Sequence, residues 1–224
     1  CDASTNDCIA SMHPSILLYR STTQWLGGMG VIMLGLLIFS RNVGGGGMSL
    51  ARAELTGPTV SPTGLSFQST ARILWMVFVA LTFIEFILVV RFTPLGAFDA
   101  LNISLTTIAT GGMTPTDGGI GGFDSAILES ILIFFMFISG LNFAALYLIA
   151  VKGQFSELRD EEMRNYAILW VSTIGLVATF LVRDGLTVTE GIRDAAFTLT
   201  SIITSTGYST ADWGSWQLFP KLII

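Results

Sequence analysis

Two four-residue segments of this 224-residue chain combine glycine with hydroxyl side chains in a pattern that suits a monovalent cation. A potassium ion leaving water must exchange its hydration shell for fixed oxygens, and rings of backbone carbonyls supply them where several loops converge. Glycine favours such loops because it accepts backbone angles that a Cβ atom resists. We predict K+ ligands at Thr110, Gly111, Gly112, Ser205, Thr206 and Gly207, flanked by Met113 and Tyr208 as further members of the site.

Both segments belong to an internal repeat with a spacing of 95 residues. Residues 98–117 read FDALNISLTTIATGGMTPTD and residues 193–212 read RDAAFTLTSIITSTGYSTAD, so that Gly112 aligns with Gly207. In each copy a Thr/Ser-rich apolar stretch leads into glycine and a polar turn, between two longer apolar segments. Self-similarity at a fixed spacing indicates a repeat architecture. This order predicts helix, half-helix, loop and helix, as in a re-entrant ion pore.

The predicted half-helices, 98–109 and 190–204, are too short to cross a bilayer. At about 1.5 Å per residue, the first covers only about half of a hydrocarbon core roughly 30 Å thick. Its backbone must then turn at 110–115 within the membrane, where non-helical backbone is stable only beside a watery or protein-enclosed cavity. The alternative is two ordinary helix hairpins, because a single glycine after a helix is usually a cap.

The composition is that of a membrane protein, with 51% hydrophobic and only 12% charged residues. A soluble domain is about one quarter charged. We therefore predict an all-α membrane protein with repeated helix, pore loop and helix units and re-entrant half-helices. The spans expected from the need for about 20 apolar residues are 15–40, in which 19–39 should be one helix, 73–90, 126–151, 166–182 and a run starting at Trp216.

The distribution of charge predicts the orientation and the compartment. Lys and Arg near span ends mark the cytoplasmic side, and they lie between the first and second spans and between the third and fourth. Acidic residues surround the repeated glycine turns, which we place outside, where a negative potential concentrates cations. The expected location is the cell inner (plasma) membrane, crossed several times. Cys1 and Cys8 fall on the outer face, where either a disulfide or two unrelated thiols are compatible with the sequence.

Other classes of function are excluded by the residues that the chain lacks. His13 is the sole histidine and there are two cysteines, so the sequence offers no metal cluster and no catalytic triad. The net charge is −5 and no basic stripe exists, which argues against nucleic-acid binding. We expect no enzyme activity and no cofactor, with lipid as the surrounding medium and K+ as the transported ion.

Four polar residues in apolar surroundings call for an explanation. Glu85 and Glu129 are costly in lipid and should face the bundle or an interface. Glu129 lies near the outer end of its span, so we expect it to reach the surface, whereas Glu85 is a candidate for a functional role. Arg20 and Gln24 lie one turn apart and could brace a loop of a preceding repeat. For Arg20 the favoured interpretation is an arginine that reaches the lipid headgroups.

The motifs resemble those of a known transporter family. The segments TTIATGGMTPTDGGIGGFDS, TSIITSTGYSTADWGSW and RSTTQWLGGMGVIMLGLLIFS, with the RAELTGP loop, resemble the Trk/Ktr superfamily of potassium transporters, and most closely its Trk-type membrane subunit. That resemblance implies four such repeats around one pore, of which this chain would hold the end of the first (1–69), the second (70–164) and a truncated third (165–224). We therefore expect a piece of a longer protein, in which Gly112 and Gly207 are two of the filter glycines.

The same resemblance implies a homodimer with a cytoplasmic nucleotide-binding regulatory subunit, which would contact the inside loops 42–69 and 154–164. The first functional hypothesis is thus K+ translocation through a backbone-carbonyl selectivity filter. A sodium-coupled or weakly selective cation transporter is a second hypothesis, because one glycine per loop constrains few carbonyls. A non-conducting membrane scaffold is the alternative from another class, and an intramembrane enzyme is the most remote.

Overall fold

The computed structural model describes residues 7–30, 67–141, 146, 149, 161–211 and 216. Within these ranges the chain is helical and contains no strand, as the sequence predicts for an all-α protein. The helices are α1 (Pro14–Trp25), α2 (Phe67–Phe92), α3 (Ala97–Ile108), α4 (Ala126–Ser139), α5 (Glu161–Arg183) and α6 (Val188–Ile203).

Two of these helices are long. Helix α2 has 26 residues, a length of about 39 Å, and α5 has 23. Among the described residues, Arg72–Phe92 and Met163–Arg183 are long and apolar enough to cross a membrane. The sequence predicts both spans at 73–90 and 166–182, and the helices contain these ranges.

The two short helices follow directly. Helix α3 has 12 residues and α6 has 16, so they are about 18 and 24 Å long and fall short of a bilayer's apolar thickness. Both predictions are confirmed to within two residues. Helix α6 begins earlier than predicted because Thr187 and Glu190 form a reciprocal capping box, in which each side chain accepts from the other residue's backbone N–H.

The helices that close each unit, α1 and α4, are interrupted where the sequence predicts continuous spans. The prediction of one helix over 19–39 is wrong, because α1 starts at Pro14 and the chain leaves helical geometry at Gly28 (φ −59°, ψ −109°). Helix α4 ends at Ser139 with a turn at Gly140, inside the predicted span 126–151.

Both interruptions occur where a glycine meets the end of a half-helix. A Cβ atom on Gly28 would lie 3.2 Å from the Cβ of Ala109. One on Gly140 would lie 3.0 Å from Thr204 Cγ2 and 2.5 Å from the Tyr166 hydroxyl. Ala109 and Thr204 cap α3 and α6 and are 95 residues apart. The closing helices therefore break at the level where the half-helices end.

Aromatic packing repeats with the same period. Trp75 on α2 packs edge-on against Trp25 at a centroid distance of 5.6 Å. Trp170, 95 positions later on α5, packs against Phe137 at 4.8 Å. A separate buried cluster joins the two units, because Ile103 and Leu132 of the second repeat pack with Phe197 and Tyr208 of the third. This cluster fixes the two repeats against each other behind the loops.

Candidate ion-binding site

The chain leaves both half-helices by the same hydrogen-bond pattern. We call residues 110–113 the first loop and 205–208 the second loop. The Gly111 N–H donates to the Thr106 carbonyl at 2.7 Å and the Thr110 N–H to the Thr107 carbonyl at 3.0 Å. Their counterparts 95 residues later measure 2.8 and 2.9 Å. This is the Schellman pattern of a helix C-terminus, and its left-handed position is held by Thr110 (φ 50°) and Ser205 (φ 56°).

The two repeated glycines do not occupy the helix-capping position. Glycine usually occupies the left-handed capping position, yet here a threonine and a serine do so, at a cost of about 1–3 kcal/mol each. Gly112 (φ 61°) and Gly207 (φ 87°) come two residues later and adopt left-handed backbone a second time. The explanation of these glycines as simple helix caps therefore does not fit either loop.

A hydroxyl from inside each half-helix holds its own loop. Thr106 Oγ1 donates to the Met113 carbonyl at 2.9 Å, and Ser201 Oγ donates to the Tyr208 carbonyl at 2.8 Å. Each bond spans seven residues, and the two donors are again 95 positions apart. Sequence reasoning missed Thr106 and Ser201. The available signal was a hydroxyl residue at equivalent positions of both copies.

The structure brings the two loops into direct contact. A Cβ atom on Gly112 would lie 2.1 Å from the Thr206 carbonyl oxygen and 3.0 Å from the Gly207 carbonyl carbon. No side chain fits at that distance, so Gly112 is required both by its φ angle and by this approach. On Gly207 a Cβ atom would meet nothing within 4 Å. The backbone of Gly112 therefore lies directly against the Thr206 carbonyl group of the second loop.

Tyr208 braces this region from behind. Its side chain is buried, and its hydroxyl is 2.7 Å from Thr106 Oγ1 and 3.1 Å from the Ile103 carbonyl, both on α3. The Tyr208 side chain of the second loop thus packs against α3, the half-helix of the preceding repeat. Met113, its counterpart, is half-buried. Of the predicted site residues, Tyr208 contributes a structural contact through its side chain.

Helix α1 supports the first loop. A Cβ atom on Gly111 would lie 2.3 Å from Cγ of Gln24, so the amide side chain occupies the space beside that glycine. Arg20 Nη2 donates to the Thr114 carbonyl. The expectation that Arg20 reaches the headgroups is wrong, because its guanidinium turns to the loop that follows α3. Both residues thus contact the loop of the second repeat.

The segment before α1 is tied to the return after the first loop. The Asp117 carboxylate accepts the backbone N–H groups of Cys8 and Ile9, and Asp7 Oδ1 accepts those of Asp117 (3.1 Å) and Ala10 (2.8 Å). Cys8 is disulfide-bonded. Cys1, the other cysteine of the chain, lies outside the described residues. The two carboxylates therefore satisfy backbone N–H groups of both segments and join the segments to each other.

An ion pair links the repeats near the start of α6. Glu129 Oε2 on α4 lies 3.2 Å from Arg193 Nε, which is also 3.7 Å from Asp194. Glu129 is only 6% exposed. The expectation that it reaches the surface is wrong, because a partly exposed arginine from the next repeat comes to it instead.

Among the described residues, no group of three or more His, Cys, Asp or Glu side chains is placed to hold a metal ion. The oxygens available at the loop contact are backbone carbonyls and hydroxyls. Oxygens of this kind can replace the hydration shell of a weakly hydrated monovalent cation.

Comparison with known proteins places the chain in a family. A family model described as TrkH, cation transport protein, matches residues 3–224. The Trk system potassium uptake protein TrkH of Halomonas elongata is 34% identical over 206 residues, which cover 90% of this chain and 42% of the relative. The protein of the same name from Escherichia coli is 33% identical over 222 residues, covering 96% and 45%.

A solved structure agrees with this assignment. The crystal structure of the potassium transporter TrkH from Vibrio parahaemolyticus matches with a TM-score of 0.77 and 26% identity, over 96% of this chain and 44% of that one. The chain therefore spans less than half the length of these relatives. The resemblance seen in the sequence is confirmed: this chain belongs to the TrkH family of cation transport proteins.

Proposed function

We propose that the protein containing this chain translocates potassium ions across the membrane, and that its first and second loops form two walls of the selectivity filter. The relatives named above are described as potassium uptake proteins. The K+ ligands would be backbone and hydroxyl oxygens of Thr110, Gly111, Gly112, Ser205, Thr206 and Gly207. Met113 and Tyr208 would close the loops on their outer side. The remaining walls would come from repeats outside this chain.

The contact between Gly112 and the Thr206 carbonyl supports this proposal most directly. Two loops from different repeats meet main chain to main chain, with matching left-handed backbone at Gly112 and Gly207. A scaffold would not need this arrangement, because ordinary helix hairpins can turn with one capping glycine and no strained threonine. A pore needs it, because an ion can reach a carbonyl only where side chains are kept away.

The organisation of the whole protein is inferred from the resemblance to Trk-type membrane subunits. The chain would comprise the end of one repeat (1–69), a complete second repeat (70–164) and part of a third (165–224), in a multi-pass protein of the inner membrane. We expect a homodimer, and a cytoplasmic nucleotide-binding subunit on the loops 42–69 and 154–164. Both loops lie largely outside the described residues. Affinity capture of the tagged full-length protein from solubilised membranes would test both partners.

The decisive experiment measures uptake of K+ and Na+ by cells that lack other potassium-uptake systems and express the full-length protein. Gly112→Ser should abolish K+ uptake, because its side chain would collide with the Thr206 carbonyl. Gly207→Ser should reduce it through backbone strain. Gly175→Ser is the matched control, since its Cβ atom would meet nothing within 4 Å and the residue lies in α5.

Two outcomes would contradict the proposal, and a third would show that the variants misfold. Unchanged K+ uptake in Gly112→Ser would favour the scaffold. Equal loss in all three glycine variants would indicate a general folding defect. Equal transport of Na+ and K+ by the parent protein would favour the weakly selective cation transporter.

A further inference from the structure

The backbone that leaves the first loop is held by α1 and by the segment before it. We call residues 114–117 the first exit. Arg20 of α1 donates a hydrogen bond to the Thr114 carbonyl at the start of this exit. Asp7, which lies seven residues before α1 begins, accepts the backbone N–H of Asp117 at 3.1 Å. The first exit is therefore fixed at both ends by residues that lie about 100 positions earlier in the chain.

The backbone that leaves the second loop is held in the same place. Ser209 is the counterpart of Thr114 at the spacing of 95 residues, and its carbonyl accepts the Gly121 N–H at 3.4 Å. A Cβ atom on Gly119 would lie 3.1 Å from the same carbonyl oxygen. Gly119 lies seven residues before α4 begins, just as Asp7 precedes α1. In both cases the chain that leads into a closing helix contacts the exit of the following loop, so this contact is a property of the repeat.

Two carboxylates make the contact at the first exit reciprocal, and they use their oxygens differently. Oδ1 of Asp7 alone accepts two backbone N–H groups, that of Asp117 and, at 2.8 Å, that of Ala10. Asp117 uses both of its oxygens, because Oδ2 accepts the N–H of Cys8 and Oδ1 accepts that of Ile9 at 3.1 Å. An asparagine offers one acceptor oxygen and one donor group. It can therefore replace the aspartate at position 7 but not the one at position 117.

The first exit is short, so its anchoring reaches the predicted ion ligands. Only three residues separate Asp117 from Met113, whose carbonyl is held by Thr106 Oγ1 at 2.9 Å. Each residue spans at most about 3.6 Å, and a displacement of Asp117 must therefore change the direction in which the backbone leaves Met113. The preceding residue, Gly112, is left-handed (φ 61°) and lies against the Thr206 carbonyl. The position of the first exit thus helps to set the carbonyl directions of the first loop.

We propose that Asp7 and Asp117 are positioning residues for ion selectivity, which join the first exit to the segment before α1 and so fix the carbonyls of the first loop. This inference rests on the proposed function, because the direction of these carbonyls affects transport only if they line an ion path. The two carboxylates act as hydrogen-bond acceptors for backbone N–H groups. Neither forms an ion pair with another residue that the structure describes.

The test uses the purified full-length protein, reconstituted into liposomes, and measures the ratio of K+ to Na+ flux together with the KM for K+. Asp117→Asn should lower the flux ratio about fivefold, because its amide group would face an N–H donor that the carboxylate accepts. Asp7→Ala should lower it by a similar factor, since it leaves the N–H groups of Asp117 and Ala10 without their acceptor. Asp7→Asn should stay within about twofold of the parent, because it keeps the one oxygen that accepts both bonds.

Two controls separate hydrogen bonding from charge. A negative carboxylate near an ion path concentrates K+ and Na+ alike, so its loss should change the KM and leave the flux ratio as it was. Asp7→Asn removes the same charge as Asp117→Asn and is therefore the matched control. Asp184→Asn is the second, because this residue is exposed in the turn after α5 and its side chain makes no hydrogen bond or ion pair within the described ranges. It should leave the flux ratio unchanged.

The outcomes separate this inference from the proposed function. A parent protein that passes no K+ overturns both. A conducting parent whose flux ratio is unchanged in Asp117→Asn or in Asp7→Ala overturns the positioning role alone, even if Tm falls, because the contact would then only stabilise the fold. A loss in Asp7→Asn as large as that in Asp7→Ala also overturns it, since charge would then be required. If one of the two impaired variants fails to reach the membrane, the other decides. If both fail, the contact is needed for folding and the positioning role is overturned.

Discussion

The two loops have nearly the same backbone but are supported by different side chains. Both end a half-helix with a left-handed hydroxyl residue, both place a left-handed glycine two residues later, and both are held by a hydroxyl seven residues upstream. In the first loop, the Gln24 side chain fills the space at Gly111. In the second loop, the equivalent residue of Gly111 is Thr206, whose hydroxyl lies 2.7 Å from that of Thr204. The comparison shows that the two repeats share the main-chain geometry of their loops, whereas the side chains that pack around these loops differ.

The largest expected difference lies between the two glycines. Gly112→Ala meets both an unfavourable φ angle and the Thr206 carbonyl, so K+ uptake should fall by about 100-fold or more. Gly207→Ala meets only the unfavourable φ angle, which costs about 1–2 kcal/mol, so its K+ uptake should fall about tenfold. Uptake kinetics of the two full-length variants, at equal amounts in the membrane, measure the difference. Equal losses would mean that the loops do not meet as described.

The hydroxyl groups that hold the loops should come next. Thr106→Val removes the bonds to the Met113 carbonyl and to the Tyr208 hydroxyl, whereas Ser201→Ala removes a bond to its own loop. At about 1 kcal/mol per bond, the KM for K+ should rise about 30-fold in the first variant, which loses two bonds, and about fivefold in the second. An effect of Ser201→Ala that exceeds that of Thr106→Val would contradict the asymmetry.

A smaller effect should follow from making the first loop resemble the second. Gly111→Thr copies the residue of Thr206, and its Cβ atom would collide with the Gln24 side chain. That side chain is flexible, so we expect a loss of about threefold in K+ uptake, or about 0.7 kcal/mol. Gln24→Ala in the same protein should restore uptake, while Gln24→Ala alone should change little. Failure of the second substitution to rescue the first would contradict this contact.

The smallest effect should come from the ion pair that only the third repeat's half-helix makes. Arg193→Gln leaves Glu129 buried without its partner and should lower Tm by about 2 °C, since the pair is half-exposed. Glu129→Gln should lower it less, because Arg193 keeps Asp194 nearby. Thermal unfolding of the purified protein measures both. Arg164→Gln, in an exposed pair with Glu161 at 4.0 Å, is the control and should leave Tm unchanged.

The sequence predicted most of what depends on local pattern. Hydrophobic length and the repeat placed α3 and α6 to within two residues and α2 and α5 to within six, because apolar runs and their breakers are properties of the segment itself. The glycines were found for the same reason. Thr106 and Ser201 escaped attention since a threonine or serine inside a half-helix is ordinary, and only the folded loop shows which carbonyl it reaches.

Features that depend on distant contacts could not be predicted. The chain at Gly28 lies against Ala109, and at Gly140 it lies against Thr204 and Tyr166. A glycine in a membrane helix usually indicates close packing, so the sequence favoured unbroken spans. Glu129 looked like a surface residue because its partner, Arg193, comes from the following repeat. In each case the missing information was which element lies opposite.

The insertion of Tyr208 into the preceding half-helix has a consequence for biosynthesis. The hydroxyl groups of Thr106 and Thr107 receive their partner from a residue made about 100 positions later. At roughly 5 to 20 residues per second, translation needs about 5 to 20 seconds to supply it. During that interval the first loop of the nascent chain lacks this contact, so its final conformation can form only after the following repeat has been synthesised.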